Sequence, residues 1–221
     1  MKKILISFAL ILFTITAFSQ TALKPVKIDS LVTVSLPEGY QKKDTLGQHI
    51  YSANALYGFM TVIVAPNEKG NTPLKKEKDL NKVLKKYIGS IQGQVGAGAS
   101  AQHVRDTTLG SLEAKTFTLH NDNGSGSIQL INFILLYTQD VTYTFEYVYP
   151  AERTELSKSE YQSFASSIRI SPELQRNDQY LSNAKGLSPV AQTAIYGGGA
   201  VILLLIIITI VRRKRRKLSL S

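Results

Sequence analysis

The sequence has 221 residues, of which 43% are hydrophobic and none is cysteine, an ordinary composition for a globular protein without disulfides. A chain of this length can bury a hydrophobic core, which excludes a disordered tail or a small disulfide-stapled scaffold. The net charge of +10 does not indicate nucleic-acid binding, because eight of the 26 basic residues flank two apolar segments as a topology signal, leaving 18 basic residues against 16 acidic ones.

The N-terminus has the three regions of a secretory signal peptide. Two lysines precede an apolar stretch over residues 4–18, and a small-x-small site at 17–19 predicts cleavage before Gln20. The stretch is shorter than the ~20 residues that a membrane span requires, although an uncleaved anchor is the alternative. No cysteine follows it, which excludes lipoprotein processing. Residues 1–19 are therefore predicted to be a signal peptide and 20–27 a leader.

Residues 28–170 are predicted to form one extracytoplasmic domain in which strands dominate. Each strand either alternates apolar and polar residues or is apolar on both faces. The predicted strands are 28–36, 47–53, 58–65, 112–120, 130–137 and 141–149. Short turns between successive strands indicate an antiparallel sheet. The last strand has a period-2 row that we expect to pack in the core rather than line a ligand groove, namely Val141, Tyr143, Phe145, Tyr147 and Tyr149.

Two helices interrupt the strands. The first is predicted over residues 73–91, with Thr72 as its cap and Pro73 in its first turn. Its apolar stripe is Leu80, Val83, Leu84, Tyr87, Ile88 and Ile91. The second, over residues 157–167, is expected to direct Tyr161, Phe164 and Ile168 inward. Because strands that are apolar on both faces need cover on both sides, the predicted class is α+β, a mainly antiparallel sheet covered by helices.

The C-terminal part contains the predicted membrane anchor. Residues 171–193 are predicted to be a linker that stays extended or locally helical rather than packed, because their apolar residues have no period. Residues 194–211 carry no charge, and a helix of this length reaches ~27 Å, close to the hydrocarbon thickness, which predicts one transmembrane helix. A basic run then predicts that the tail 212–221 stays in the cytoplasm. These topology residues are Arg212, Arg213, Lys214, Arg215, Arg216 and Lys217.

Two short motifs carry a family resemblance. The strand ending in Pro37-Glu38-Gly39-Tyr40 resembles the Pro-x-Gly-aromatic turn that opens PsbP-like domains. The last helix, with Phe164 and then Ser167-Ile168 before a short terminal strand, is similar to the way such domains close. The resemblance covers residues 28–170 and implies a PsbP-like sandwich. It also implies a binding or assembly role without catalysis, since the family includes photosystem assembly subunits, a partner of a nuclear-transport GTPase and bacterial envelope proteins.

The chemistry-bearing residues form no catalytic or metal-binding pattern. His49, His103 and His120 lie outside any metal-binding spacing, and most metal sites need three or four ligands. Cysteine and G-x-S-x-G are both absent, which excludes the thiol and serine-elbow signatures. A G-x-G-x-x-A match at 96–101 follows a predicted helix and precedes a strand, the reverse of the dinucleotide-binding order, so it is interpreted as a loop. No cofactor is expected.

A row of lysines on the solvent side of the first helix is the candidate binding surface. Only Glu77 and Asp79 oppose these lysines on the helix. The functional interpretation is a patch that faces anionic lipid headgroups or an acidic partner, and the alternative is the solvated face of an amphipathic helix. The candidate residues are Lys75, Lys78, Lys82, Lys85 and Lys86.

The leading hypothesis is a non-catalytic, single-pass binding or assembly module of the bacterial cell membrane, with its domain outside the cytoplasm. Membrane lipid is the expected partner of the span, a protein of the envelope is the expected partner of the domain, and nucleic acid is not expected. One alternative is an envelope enzyme whose site is assembled from distant residues. The other is a surface protein whose C-terminal segment, with glycines at 197–199, is a removable sorting signal.

Overall fold

The structure is a computed structural model that describes residues 22–68, 73–122, 124 and 126–182. The predicted signal peptide, transmembrane helix and basic tail lie outside these residues. Within the described ranges, no helix combines the length and apolar character needed to cross a bilayer.

The predicted antiparallel sheet is confirmed. Seven of the described strands form it in the order β3-β4-β5-β9-β8-β7-β6, and β1-β2-β10 form a second, smaller antiparallel sheet. The strands are β1 (Leu23–Lys27), β2 (Val32–Pro37), β3 (Gln41–Thr45), β4 (Gln48–Asn54), β5 (Phe59–Pro66), β6 (Ala99–Leu109), β7 (Leu112–Asp122), β8 (Ile128–Tyr137), β9 (Val141–Pro150) and β10 (Arg169–Ile170). The predicted hairpin is β4–β5, in which Asn54 pairs with Phe59.

The two described α-helices are α1 (Glu77–Val95) and α2 (Thr154–Ser167). The prediction that the first helix starts at Pro73 is wrong. It starts at Glu77, because the Asp79 carboxylate accepts a 3.2 Å hydrogen bond from the backbone N–H of Lys76 and so caps the first turn. The helix also continues beyond Ile91 to Val95 and is followed by Gly96, whose φ of 118° is a conformation that favours glycine.

The large sheet is covered differently on its two faces. Leu80, Leu84 and Ile88 of α1 pack on one face, where the stacked rings of Phe117 and Phe133 belong to the same cluster. The other face packs against the small sheet together with α2, so the prediction of helical cover on both sides is corrected. The physical reason is the alternation in β2. Its inward residues Val32, Val34 and Leu36 give the small sheet one apolar face that must be buried against another layer.

The aromatic row of β9 lies inside this second interface. Tyr143, Phe145 and Tyr147 are at most 1% exposed, and Tyr149 is 7% exposed. The Tyr143 hydroxyl donates to Asp29 at 2.7 Å and the Tyr147 hydroxyl donates to Glu160 at 2.6 Å. The prediction that the row packs in the core is confirmed.

The domain is longer at both ends than the predicted range 28–170. The residues predicted as a leader include β1, which pairs along its length with β2. The first part of the predicted linker is also packed, since Leu174, Gln179 and Tyr180 are 8%, 0% and 1% exposed. This compact unit ends at Leu181. The prediction of an unpacked linker is therefore wrong for residues 171–181. Isolated apolar residues without a period can still pack between strands that are distant in the sequence.

Candidate functional site

The predicted lysines lie on the outer side of α1. Lys78, Lys82, Lys85 and Lys86, here called the lysine face, are all exposed. Successive helical residues are rotated by about 100°, so this face points away from the buried stripe of Leu80, Leu84 and Ile88. The fifth candidate, Lys75, is exposed as well but precedes the first helical residue. Four of the five candidates therefore share one helical surface.

Spacing brings the charges of the lysine face close together. Lys78, Lys82 and Lys86 follow each other at i, i+4, and Lys82 and Lys85 at i, i+3. Like charges at these spacings destabilise a helix by about 0.2–0.5 kcal/mol per pair. Among the described residues, no acidic side chain lies within salt-bridge distance of a lysine of this face. The lysine face therefore carries four positive charges and no salt bridge among the described residues.

One lysine of this face, Lys78, is placed unfavourably along the helix axis, because it lies in the first turn of α1. The first half of α1 carries most of the lysines and the last turn carries no basic residue. Cations stabilise the C-terminal end of a helix, where the macrodipole is negative, and not the N-terminal end. Helix stability thus does not account for the position of Lys78.

The end of the domain contacts the segment that precedes α1. The backbone N–H of Leu181 donates a 2.9 Å hydrogen bond to the carbonyl oxygen of Leu74, the residue before Lys75. The chain therefore leaves the domain beside the first of the candidate lysines. No pattern in the sequence signals this contact, because a backbone hydrogen bond places no demand on residue type.

Two buried side chains fix the position of this exit. The Gln179 amide donates to the carbonyl oxygens of Glu113 and Tyr137 at 2.7 and 2.8 Å and accepts the backbone N–H of Glu113 at 2.8 Å. The Tyr180 hydroxyl donates to the Glu113 carboxylate at 2.8 Å. Burial, together with that carboxylate, raises the pKa of Tyr180 to about 12, so the hydroxyl stays protonated as a donor. The last residues of the domain are thus bonded to β7 and β8.

Open space flanks α1 on both sides. A cavity of about 660 Å³ lies between the helix and the large sheet, with Lys86, Tyr87 and Ser90 on its helical wall. A second cavity of about 460 Å³ on the opposite side is lined by Lys85 and by the half-exposed Val104. Lysines of the lysine face thus stand at the rim of each cavity.

A third cavity, of about 380 Å³, lies beside α2 and contains one carboxylate, Glu160. That carboxylate accepts hydrogen bonds from the backbone N–H groups of Leu56 and Tyr57 at 2.8 and 3.0 Å and from the Tyr147 hydroxyl. Burial, followed by this contact, raises the pKa of Tyr147 well above its usual range. Glu160 therefore holds the loop between β4 and β5 against α2, which is a structural role.

Glu146 is a polar residue that the sequence analysis missed. It lies on the α1 side of β9, in register with Thr61 of β5 and Phe133 of β8. Among the described residues its carboxylate has no hydrogen-bond or ion-pair partner, and burial raises its pKa from 4.5 to about 7. A signal was present in the sequence, since Glu146 is the one charged residue of an otherwise apolar and hydroxyl-bearing strand.

The histidines and the glycine-rich segment singled out in the sequence have positions that the fold explains. His49 bonds Asp44 at 2.6 Å, His103 lies at a bulge of β6 with a φ of 53°, and the described residues contain no group of three potential metal ligands. In the glycine-rich segment at 96–101, residues 96–98 join α1 to β6, as the loop prediction requires, but residues 99–101 already belong to β6. Gly98 is needed there because a Cβ would come within 1.9 Å of the Asp122 carbonyl oxygen.

No family model matches the sequence, and no curated protein matches it either. Among solved structures, the chain is similar to PsbP (CyanoP) of Synechocystis sp. PCC 6803, with 14% identity and a TM-score of 0.48 over 70% of this chain and 95% of that one. It is also similar to the Ran-binding protein Mog1p of Saccharomyces cerevisiae, with 12% identity and a TM-score of 0.44 over 68% and 96% of the two chains. LpqN of Mycobacterium tuberculosis, involved in cell envelope biogenesis, matches with 12% identity and a TM-score of 0.45 over 68% and 91%. These matches support a weak PsbP-like resemblance of fold, as predicted, and nothing about function.

Proposed function

We propose that this protein is a non-catalytic binding or assembly module of a bacterial envelope, held by one transmembrane helix at residues 194–211. Its domain lies outside the cytoplasm and its basic tail lies inside. The observation that carries the proposal is the placement of the charge. Basic residues stand before the apolar stretch 4–18 and after the apolar stretch 194–211, while the chain between them is close to neutral.

The proposed anchor keeps the domain near the bilayer. The compact unit ends at Leu181, and residues 182–193 span at most about 40 Å when fully extended. The chain leaves the domain beside Leu74, so the lysine face starts close to the point where this tether begins.

Binding is favoured over catalysis by the use of the polar side chains. Glu160 holds a loop, Glu113 accepts from Tyr180, and Asp29 accepts from Tyr143 and from two backbone N–H groups. Each of these carboxylates stabilises the fold, whereas the carboxylates of an acid–base pair would have to act on a substrate. The lysine face, by contrast, makes no such contact in the described structure and is available to a partner.

Extraction of membranes tests the anchor. We expect the full chain to stay in the membrane pellet after high-salt and alkaline washes and to be released only by detergent. A variant that lacks residues 194–221 should be recovered outside the cytoplasm in soluble form. Recovery of the full chain in the alkaline supernatant would contradict the proposal. An intact mass that ends near Gly199 would instead support the removable sorting signal.

A further inference from the structure

We propose that the lysine face docks on anionic lipid headgroups of the same bilayer that anchors the chain, so that the domain lies on the membrane with α1 against its surface. The inference rests on the proposed anchor and names the partner of its binding surface. The surface consists of Lys78, Lys82, Lys85 and Lys86, with Lys75 next to it.

Charge complementarity is the first argument. The four lysines of the face are exposed and have no described acidic partner, and they repel each other along the helix. An anionic headgroup layer attracts each cation near it and relieves this repulsion. Because the anchor holds the domain close to the bilayer, the local concentration of headgroups is high and each contact can be weak.

The position of the chain exit is the second argument. The Leu181–Leu74 hydrogen bond ties the start of the tether to the segment that leads into α1. A tether of residues 182–193 is long enough for α1 to reach the membrane, since its fully extended length of about 40 Å is several times the diameter of a helix.

The chemistry of the surface favours lipid over an acidic protein. Protein interfaces are enriched in Tyr, Trp and Arg and depleted in Lys, whereas the exposed residues of α1 include four lysines and no Tyr, Trp or Arg. Arginine is the better residue for a fixed carboxylate or phosphate, because its planar guanidinium group forms two parallel hydrogen bonds with it. Compact ammonium groups on flexible stems suit a fluid layer of headgroups, in which no single anion has a fixed position.

The shape of the helix also fits a flat partner. Gly89 and Gly93 continue the outer side of α1 after the lysines, and a Cβ at either position would meet nothing within 4 Å. The helical backbone can therefore approach a surface closely beside the lysines. A probe attached at Gly89 would report whether that approach occurs.

A single-cysteine fluorescence experiment tests the inference. The chain has no cysteine, so Gly89→Cys introduces one unique site for an environment-sensitive dye. The full chain is reconstituted in vesicles of phosphatidylcholine alone or with phosphatidylglycerol. We expect the dye emission to shift to the blue only in the phosphatidylglycerol vesicles, and the shift to disappear at 1 M salt, where the Debye length is about 3 Å. A dye at Leu156→Cys, on the exposed side of α2, should show no shift.

Matched charge variants separate the lysine face from net charge. Lys82→Gln with Lys85→Gln should lower the ratio of docked to free domain roughly 30-fold, equivalent to about 1 kcal/mol per lysine. Glutamine keeps the helix propensity of lysine. The control removes two exposed lysines from other elements, Lys27→Gln with Lys158→Gln, and should leave the shift unchanged.

The outcomes distinguish this inference from the proposed function. If the chain fails to float with vesicles in high salt, the anchor itself is contradicted. If the chain floats but the Gly89→Cys dye emits equally in both vesicle types, only the lipid-docking inference is overturned. A dye that responds to an acidic envelope protein and not to phosphatidylglycerol overturns it as well, in favour of a protein partner.

Discussion

The backbone N–H of Leu181 donates a 2.9 Å hydrogen bond to the carbonyl oxygen of Leu74, and this bond joins the end of the domain to the segment that precedes α1. It brings together two segments that are far apart in the sequence. The segment that ends at Leu181 leads to the proposed anchor, and the segment that follows Leu74 carries the candidate binding surface. The first prediction therefore concerns the residues that hold the end of the domain in place.

Tyr180→Ala should destabilise the domain strongly. The ring is 1% exposed and its hydroxyl bonds Glu113, so the substitution leaves a cavity and removes a hydrogen bond. We expect a loss of about 3–5 kcal/mol in the free energy of unfolding, measured by denaturant titration of the detergent-solubilised chain. The control is Leu181→Ala, at a side chain that is 57% exposed, with an expected loss below about 0.5 kcal/mol. Equal effects of the two substitutions would contradict the packed position of residues 171–181.

Glu146→Gln should change how stability depends on pH. The folded-state pKa of Glu146 is about 7 against an ordinary value of 4.5, so the folded protein holds a proton that the unfolded chain has released. Stability that is present below pH 4.5 is therefore lost as the pH rises towards 7, by roughly 3 kcal/mol. The variant is neutral throughout and should be the more stable protein at pH 8, with little difference at pH 4.

Unfolding titrations at pH 4, 6 and 8 measure this dependence. Glu152→Gln, at an exposed position in the turn before α2, is the control and should leave the pH profile of the wild type unchanged. A Glu146→Gln variant that loses stability at pH 8 would show that the charged carboxylate has a favourable partner.

Lys82→Glu should stabilise α1 while it weakens the lysine face. The substitution turns the repulsions with Lys78, Lys85 and Lys86 into attractions, and turns one attraction, to Asp79 three residues earlier, into a repulsion. The net gain is therefore about 1 kcal/mol at low salt. The same change at Lys158 of α2 should have the opposite sign, because it places a second carboxylate three residues after Glu155. Thermal unfolding at low and high salt measures both effects. A loss of stability on Lys82→Glu would mean that Lys82 has a favourable contact in the folded state.

Tyr147 and Glu160 should be energetically coupled. Their 2.6 Å hydrogen bond joins β9 to α2, and the carboxylate also holds two backbone N–H groups of the loop after β4. A double-mutant cycle of Tyr147→Phe and Glu160→Gln should give a coupling energy of about 1–2 kcal/mol. For comparison, the pair Tyr147→Phe and Glu155→Gln, which has no contact, should be additive. A zero coupling for the first pair would contradict the structural role of Glu160.

Sequence patterns predicted those parts of the fold whose residues form an apolar run or have a period. The strands β5 and β8 follow from runs that are apolar on both faces, whereas β9 and the stripe of α1 follow from apolar residues that recur with the spacing of the element. The edge strand β3 was missed, since its residues Gln41–Thr45 are polar and largely exposed. The start of α1 was misplaced because a capping residue at Asp79 outcompeted the expected proline start.

The candidate site was predictable only in part. Exposure of the lysines on α1 follows from the stripe of Leu80, Leu84 and Ile88 opposite them. The packing of Tyr180 does not follow from local sequence, because it depends on a gap between distant strands. The half-buried position of Glu146 depends equally on the neighbouring strands, although its place among apolar residues was a visible signal.

The central claim is that the folded domain and the basic tail lie on opposite sides of one membrane. Because the chain has no cysteine, Ser166→Cys in α2 and Ser219→Cys in the tail each provide one site for a membrane-impermeant maleimide. Intact cells that express the full chain are labelled with and without permeabilisation. We expect the Ser166→Cys variant to be labelled in intact cells and the Ser219→Cys variant only after permeabilisation. Labelling of Ser219→Cys in intact cells, or protection of Ser166→Cys, would contradict the proposed topology.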